Sequence, residues 1–598
     1  MKSIWSLFAV CVALTLADTP TQWSPRCRCL PSDDCWPAPS VWAALNDTVG
    51  GRLVKTVPLG SACHDPDYDE DACLAVRESW NDPRLHLPSS SSIMQHFFAN
   101  RSCDPFTPRS RPCELGNYVA YAIRVTQDDD VVAGIRFARE NNVRLVVRNT
   151  GHDFLGRSTG AGALSIWTHA LNTTHFVPSY SYSSPSSSSS SSSSPYTGPA
   201  LIASAGVLGY QAIEAAQSHS HLVVTGSCPT VGVAGGFLLG GGHSPLSASF
   251  GLAADQALAY RVALADGSDT VVNATPDENP DLYWALSGGA GGGTYGVVLE
   301  VALRAYPASP TVGGARIQLA ANSTTPESFA AAVAAAHELM PSLADRRIAS
   351  NYILTRAFFS IGPFTHLGST GENLRDEVLR PLTARLRELG IPFTEKYTTY
   401  DSYRDHYDAY LGPLPWGTLR SSEYQYGSRL VPRSAIVENA DGGATQLQQV
   451  IMDLISRTNV TLVATTGPFT PTPPDEGAAV KNSVNPAWRQ AMMQLQLSTP
   501  WDNDPSSWAA MLRDQKLMSE SYLAALRDAT PGGASYLNEG DVGLSSDWRA
   551  ESFGENYDEL RRIKDKWDPD GVFYVFKGVG SEAWTVDESG RMCRAGDW

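Results

Sequence analysis

A chain of 598 residues, 42% hydrophobic and 18% charged, is long enough for two to four domains with several packed layers. Sixty-two acids against 45 bases give a formal net charge of −17 with no basic run. That balance excludes nucleic acid and anionic membrane surfaces as partners.

The N-terminus reads Met1-Lys2 and then a short apolar run, Ile4 to Ala17, which reads as a secretory signal over residues 1–17. No later run is apolar for long enough to span a bilayer, so a secreted, extracellular protein is expected. Seven cysteines (Cys27, Cys29, Cys35, Cys63, Cys73, Cys103, Cys113) crowd the next hundred residues, and Cys593 lies near the other end. Cys11 leaves with the signal, and in an oxidising compartment these eight allow four disulfides of open connectivity, so Cys228 is left over. Six Asn-X-Ser/Thr sequons, from Asn46 to Asn459, agree with glycosylation. No histidine cluster accompanies the cysteines, so no metal site is expected.

Residues 18–114 read as an irregular, disulfide-rich extension. From there Tyr118–Val125 has strand character, and Asp129–Glu140 has helical spacing with acids in its first turn. Leu145–Val147 and Ser165–Thr168 read as strands. Residues 179–199, mostly serine, cannot bury a core and form a surface insertion. Structure resumes with strand Ala200–Ser204 and helix Gly209–Ser218, then strand material at Leu258–Val262 and Ala263–Asp266, and strand Val297–Leu303. Beyond Thr311 come helical patterns (Pro326–Leu339, Leu374–Leu389, Thr445–Arg457, Ser506–Asp528), with strand-like Val460–Thr465 and Met492–Ser498 between them. A large sheet with helices on one side fits that alternation. The tail reads as strand at Tyr536, helix at Tyr557–Trp567, and a turn at Asp568–Gly571.

Glycine-rich loops mark the chemistry. One runs Arg148-Asn149-Thr150-Gly151-His152-Asp153 and on through Gly156 and Ser158. The second runs Cys228-Pro229-Thr230-Val231-Gly232 through Gly235, Gly236, Gly240, Gly241 and Gly242 to His243. A third runs from Gly288 through Gly293 to Gly296 and Val297. Converging backbone N–H groups without side-chain obstruction suit a pyrophosphate. Two motif matches lack their context. Gly291–Gly296 fits G-x-G-x-x-G but precedes a strand, and Gly156–Gly160 fits a nucleophile elbow but lies between loops. A Rossmann site and a serine hydrolase are therefore not expected.

These loops, with Phe250-Gly251-Leu-Ala-Ala-Asp255, resemble the FAD-binding domain of the vanillyl-alcohol-oxidase superfamily. The tail Asn556–Phe573 resembles the C-terminal segment of its berberine-bridge-enzyme branch. The extension with Cys27-Arg-Cys29 and Cys35-Trp-Pro37 is similar to fungal secreted members described as isoamyl alcohol oxidases. The resemblance implies an α+β fold: a two-part, PCMH-type FAD-binding domain over 115–308, a substrate domain over 309–530 with a large antiparallel sheet backed by helices, and a C-terminal segment, 531–598, returning to the FAD domain. It implies FAD bonded twice, through its 8α carbon to His152 and through C6 to Cys228. A neutral imidazole and a thiolate are the nucleophiles such bonds need.

By the same resemblance, the small Val231 goes with access for O2, reduced to hydrogen peroxide. Tyr536 of Tyr536-Leu-Asn538 is the expected base as hydride leaves an alcohol carbon, with Asn538 orienting flavin or substrate. Gln494 and Gln496, on a strand after Asn485–Arg489, are expected to meet the substrate. Two positions depart from the family pattern: Phe154 and Glu539 stand where many relatives have tyrosine. The reading is a monomeric oxidase of a small-molecule alcohol, whether aliphatic, phenolic or carbohydrate. The alternatives are an oxidative tailoring enzyme on the same fold and a flavin-free binding protein.

Overall fold

A computed structural model describes residues 26–182, 196–267, 270–289, 291–421, 423–437, 445–471, 482–544 and 547–596. The expected signal segment and the centre of the serine-rich insertion lie outside these residues.

Three sheets organise the chain. The first has four strands, β1 (Leu53–Lys55), β2 (Tyr121–Arg124), β3 (Leu145–Arg148) and β4 (Leu164–Trp167), in the order β1-β2-β4-β3. Its β2, β3 and β4 run parallel. Helix Asp128–Glu140 makes the crossover and buries Val131, Ile135 and Ala138 against Ile123 and Ile166. Three acids in its first turn suit the positive end of the helix.

The second sheet is antiparallel, with β5 (Thr174–Ser181), β6 (Thr197–Ser204), β7 (Ala257–Ala263), β8 (Val271–Ala274) and β9 (Val297–Arg304) in the order β5-β6-β9-β7-β8. β5 and β6 reach further into the serine-rich stretch than its composition implies. Tyr180 pairs with Gly198 there, because a hairpin can continue on backbone hydrogen bonds alone.

The third sheet has seven antiparallel strands: β10 (Val312–Ala320), β11 (Ala349–Leu354), β12 (Phe358–Leu367), β13 (Thr394–Tyr400), β14 (Tyr424–Pro432), β15 (Thr461–Thr466) and β16 (Ala491–Pro500). Their order is β13-β10-β12-β11-β15-β16-β14. Alternation gives this sheet two unlike faces. Ala315, Ile317, Tyr352, Phe359, Leu462 and Leu495 pack on helices Pro326–Asp345, Arg380–Glu388 and Gln446–Arg457. The intervening residues face the other way, towards the glycine loops.

Several expectations change. The extension is less irregular than its composition implies, holding helices Pro39–Thr48 and Glu70–Glu78 and lending β1 to the first sheet. Residues after Ala263 turn away instead of continuing the strand, at Asp266-Gly267. The helical patterns at Leu374–Leu389 and Ser506–Asp528 are each interrupted by a wide turn, at Leu374–Val378 and Met518–Tyr522. Tyr536 is not in a strand: it precedes a tight turn, Leu537–Glu539, which begins just where β-type alternation would have to hold. The eight expected cysteines pair as Cys27–Cys593, Cys29–Cys35, Cys63–Cys73 and Cys103–Cys113, and Cys228 is free.

Candidate active site

A cavity of about 840 Å³ lies between the glycine loops and the polar face of the seven-stranded sheet. That volume lies within the range of small-molecule and cofactor sites. The His152 loop leaves the end of β3, and the Cys228 loop follows the buried pair Val223 and Val224. Thr230 joins them. Its hydroxyl is 2.8 Å from His152 Nε2 and 3.4 Å from Cys228 Sγ. Burial, aided by nearby His86 and Arg148, pushes the imidazole down to about 4, so it is neutral near pH 7. Burial pushes the Cys228 thiol up, against hydrogen bonds from Thr230 and Val231.

Glycine lets the loops pack this closely. A Cβ on Gly232 would lie 2.7 Å from the Asn149 amide, and one on Gly240 would lie 2.1 Å from Asn538 Oδ1. Asn149 Oδ1 and Ser227 Oγ are buried on the cavity wall without a hydrogen-bond partner. Unfilled polar atoms on a glycine-lined cradle fit a group bringing its own donors and acceptors, as a flavin dinucleotide does.

A second cluster sits against the far end of the second glycine loop. The Tyr536 hydroxyl accepts from Gly242 N at 3.2 Å and from Asn538 Nδ2 at 2.7 Å. Burial and then the Glu539 charge push its phenol up, while those donors pull it down. Glu539 bonds His243 Nε2 at 2.8 Å through one oxygen and Gln494 Nε2 at 2.7 Å through the other. Tyr536 and Asn538 thus meet through the turn Leu537–Glu539 and not along a strand. Phe154, without a hydroxyl, stacks on Tyr426 with ring centroids 4.0 Å apart.

Of the residues marked in the sequence, Asn149, Thr150, Gly151, His152, Asp153 and Ser158 line the cavity from the first loop. Cys228, Val231, Gly232, Gly235, Gly236 and His243 line it from the second, and Gly293 from the third. Gln496, Tyr536 and Asn538 line it as well. The others stand behind the wall. Arg148 is buried beneath its loop and donates to Ser92 O at 2.6 Å. Gly156 packs on Phe98 and Gly241 on Tyr536. Pro229 faces Gly417. Gln494 reaches the cavity only through Glu539.

Gly251 and Asp255 face the Pro471 and Arg489 side, where Asp255 takes both guanidinium nitrogens at 2.9 and 2.7 Å. Gly296 packs on Val262 within the second sheet, and Val297 is buried in the core. The wall also holds residues the sequence did not single out. Arg157 donates to the carbonyls of Leu537, Phe576 and Lys577 and ties the first loop to the tail. Arg316, Gln318, Asn351 and Tyr426 come from the seven-stranded sheet, and only its strand alternation could have marked them.

Residues 119–273 match the sequence family described as FAD binding domain, and residues 535–580 match berberine and berberine like. The chain is 43% identical over 581 residues to FAD-linked oxidoreductase ZEB1 of Gibberella zeae, covering 97% of each chain. It is 40% identical over 585 residues to the VAO-type flavoprotein oxidase VAO615 of Thermothelomyces thermophilus, covering 96% of each. This chain belongs to the vanillyl-alcohol-oxidase superfamily, in its berberine-bridge-enzyme-like branch. It is an FAD-linked oxidoreductase of that branch. The crystal structure of VAO-type flavoprotein MtVAO615 from Myceliophthora thermophila superposes with a TM-score of 0.86 at 38% identity, over 95% of this chain and all of that one. A glucooligosaccharide oxidase of Acremonium strictum, at 17% identity and a TM-score of 0.61, shares the VAO-type fold. Among the described residues no helix is long and apolar enough to cross a membrane.

Proposed function

We propose that this flavoenzyme is a secreted, monomeric oxidase that removes hydride from a CH–OH carbon of a small molecule and passes the electrons to O2, with FAD held by both His152 and Cys228. The observation that carries the reading is the pair of nucleophiles sharing the Thr230 hydroxyl on one cavity wall. His152 is neutral and holds Nε2 on Thr230, which leaves Nδ1 for the bond. Among the described residues Cys228 is the cysteine left outside the four disulfides. The bound flavin supplies a two-electron acceptor for hydride and a donor for O2.

Tyr536 takes the alcohol proton. Gly242 N–H and Asn538 Nδ2 both donate to its oxygen and offset part of the rise that burial and the Glu539 charge impose on the phenol. Asn538 is fixed by its second bond, to Phe237 O at 3.1 Å. Val231 keeps the wall beside Cys228 small, and Gln496 meets the substrate from β16 while Gln494 orients Glu539. The four disulfides and five exposed sequon asparagines, Asn100, Asn172, Asn273, Asn322 and Asn459, support a secretory route. The flavin-binding part spans 115–308, and the substrate part spans 309–530.

A second reading, oxidative tailoring of a secondary metabolite, draws on a relative 37% identical over 588 residues, the bifunctional decalin synthase calF of Penicillium decumbens. The oxidase reading is tested by acid precipitation of the purified protein. Flavin fluorescence is expected in the pellet of wild type, His152→Ala and Cys228→Ala, and is lost from the pellet of the double variant. Covalent flavin in the double variant would overturn the assignment. Peroxide release over a panel of alcohols, without ring closure or desaturation, separates the two chemistries.

A further inference from the structure

The charged side chains on the cavity wall are not equally satisfied. Asp153 accepts from the backbone N–H groups of Leu155, Arg157 and Ser158. Arg157 donates to three carbonyls, and Glu539 is shared by His243 and Gln494. Arg316 differs. Its guanidinium lies over the Tyr410 ring, 5.3 Å from the centroid, and reaches only Tyr410 O, at 3.4 Å. Its Nε is buried without a partner, and no described carboxylate pairs with it. Lys396, directly opposite on β13, adds a second positive charge over the same ring at 5.6 Å.

The strand places this cation with purpose. On β10 the neighbours Ala315 and Ile317 point into the helix-backed core, so Arg316 and Gln318 point into the cavity. Gly362 and Pro363 on the adjoining β12 leave the space beside Arg316 open to the cavity. Polar residues continue across the sheet. Asn351 pairs with Thr465, and Thr465 pairs with Gln494, which holds Glu539. The cavity is thus cationic at the β10 end and carries the His243–Glu539 pair at the β16 end, four interstrand steps or about 19 Å away along the backbones.

We propose that Arg316 binds a carboxylate of the substrate, so that the enzyme acts on an elongated hydroxy acid held by its acid end with the alcohol at the Tyr536 end. A guanidinium with free N–H groups in a partly dry cavity gains most from a bidentate carboxylate. This inference rests on the oxidase reading for the position of the alcohol, but the acid site can be tested without turnover.

The flavin-loaded enzyme is titrated by calorimetry with 4-(hydroxymethyl)benzoate and with 4′-(hydroxymethyl)biphenyl-4-carboxylate, each beside its methyl ester. At least one acid is expected to bind tenfold or more tighter than its ester, with the difference shrinking in high salt. Arg316→Gln should erase the discrimination while flavin content stays as in wild type, and Arg316→Lys should restore part of it. Equal binding of acid and ester, no binding of either acid, or discrimination that survives Arg316→Gln overturns the proposal. If the glutamine variant fails to fold, the salt dependence and the lysine variant still decide. Acid preference without peroxide release would sink the oxidase reading alone.

Discussion

Thr230 is buried completely, yet its hydroxyl touches both proposed flavin ligands. It fixes the His152 ring and lowers the cost of ionising Cys228. Thr230→Val keeps the shape and removes both bonds. The expected outcome is folded protein with a smaller fraction of acid-stable flavin, and unchanged occupancy would show that the hydroxyl plays no part in attachment. Tyr536 can be judged the same way. Tyr536→Phe leaves the buried ring against Trp488 but removes the proton acceptor. Flavin reduction by a turned-over alcohol should slow by about 10²-fold or more, with flavin content intact. A rate within a few-fold of wild type would pass the role to the His243–Glu539 pair.

Between elements, the Asp255–Arg489 pair clamps the turn after Gly251 onto the turn Pro486–Arg489 that leads into β16. Asp255 is fully buried and also accepts from Asn482 and from Leu252 N. Asp255→Ala strands the arginine and several donors, so a loss of about 3 kcal/mol is expected in chemical denaturation. A loss under 1 kcal/mol would mean the turns hold without it. The sequence motif around Gly251 and Asp255 fixes the order of these residues, and the turn places the Asp255 carboxylate on Arg489. Legibility followed local signals throughout. The helix at Asp128–Glu140 and strand Val297–Arg304 were readable because their periodicity is strong and their ends are marked. The glycine loops carried His152 and Cys228 in plain view. The wall from β10 to β16 was not readable, since Arg316, Gln318 and Asn351 come together only through pairing across long sequence distances. The turn at Leu537–Glu539 hid behind three residues that read equally well as a strand.

Across the whole molecule, burial holds several imidazoles neutral. His86, His337 and His406 are each pushed down to about 4, mainly by desolvation. In the unfolded chain they take protons near 6.5. Between those values the unfolded state binds more protons, so their contribution is complete above about pH 6.5 and is lost as pH falls towards 4. The melting temperature should drop steadily from pH 7 to 4.5, and His337→Asn should flatten part of that slope. A melting temperature unchanged over that interval would contradict neutral burial of these rings. The Cys27–Cys593 bond acts at the same scale. It joins residues 566 apart in sequence, flanked by Arg28 N to Met592 O and by the Arg591–Asp33 ion pair. The chain between those cysteines is in effect a closed ring. One proteolytic cut anywhere in it opens the ring without releasing a fragment, so a clipped molecule would keep its mass on a non-reducing gel and separate into two bands only when reductant is added.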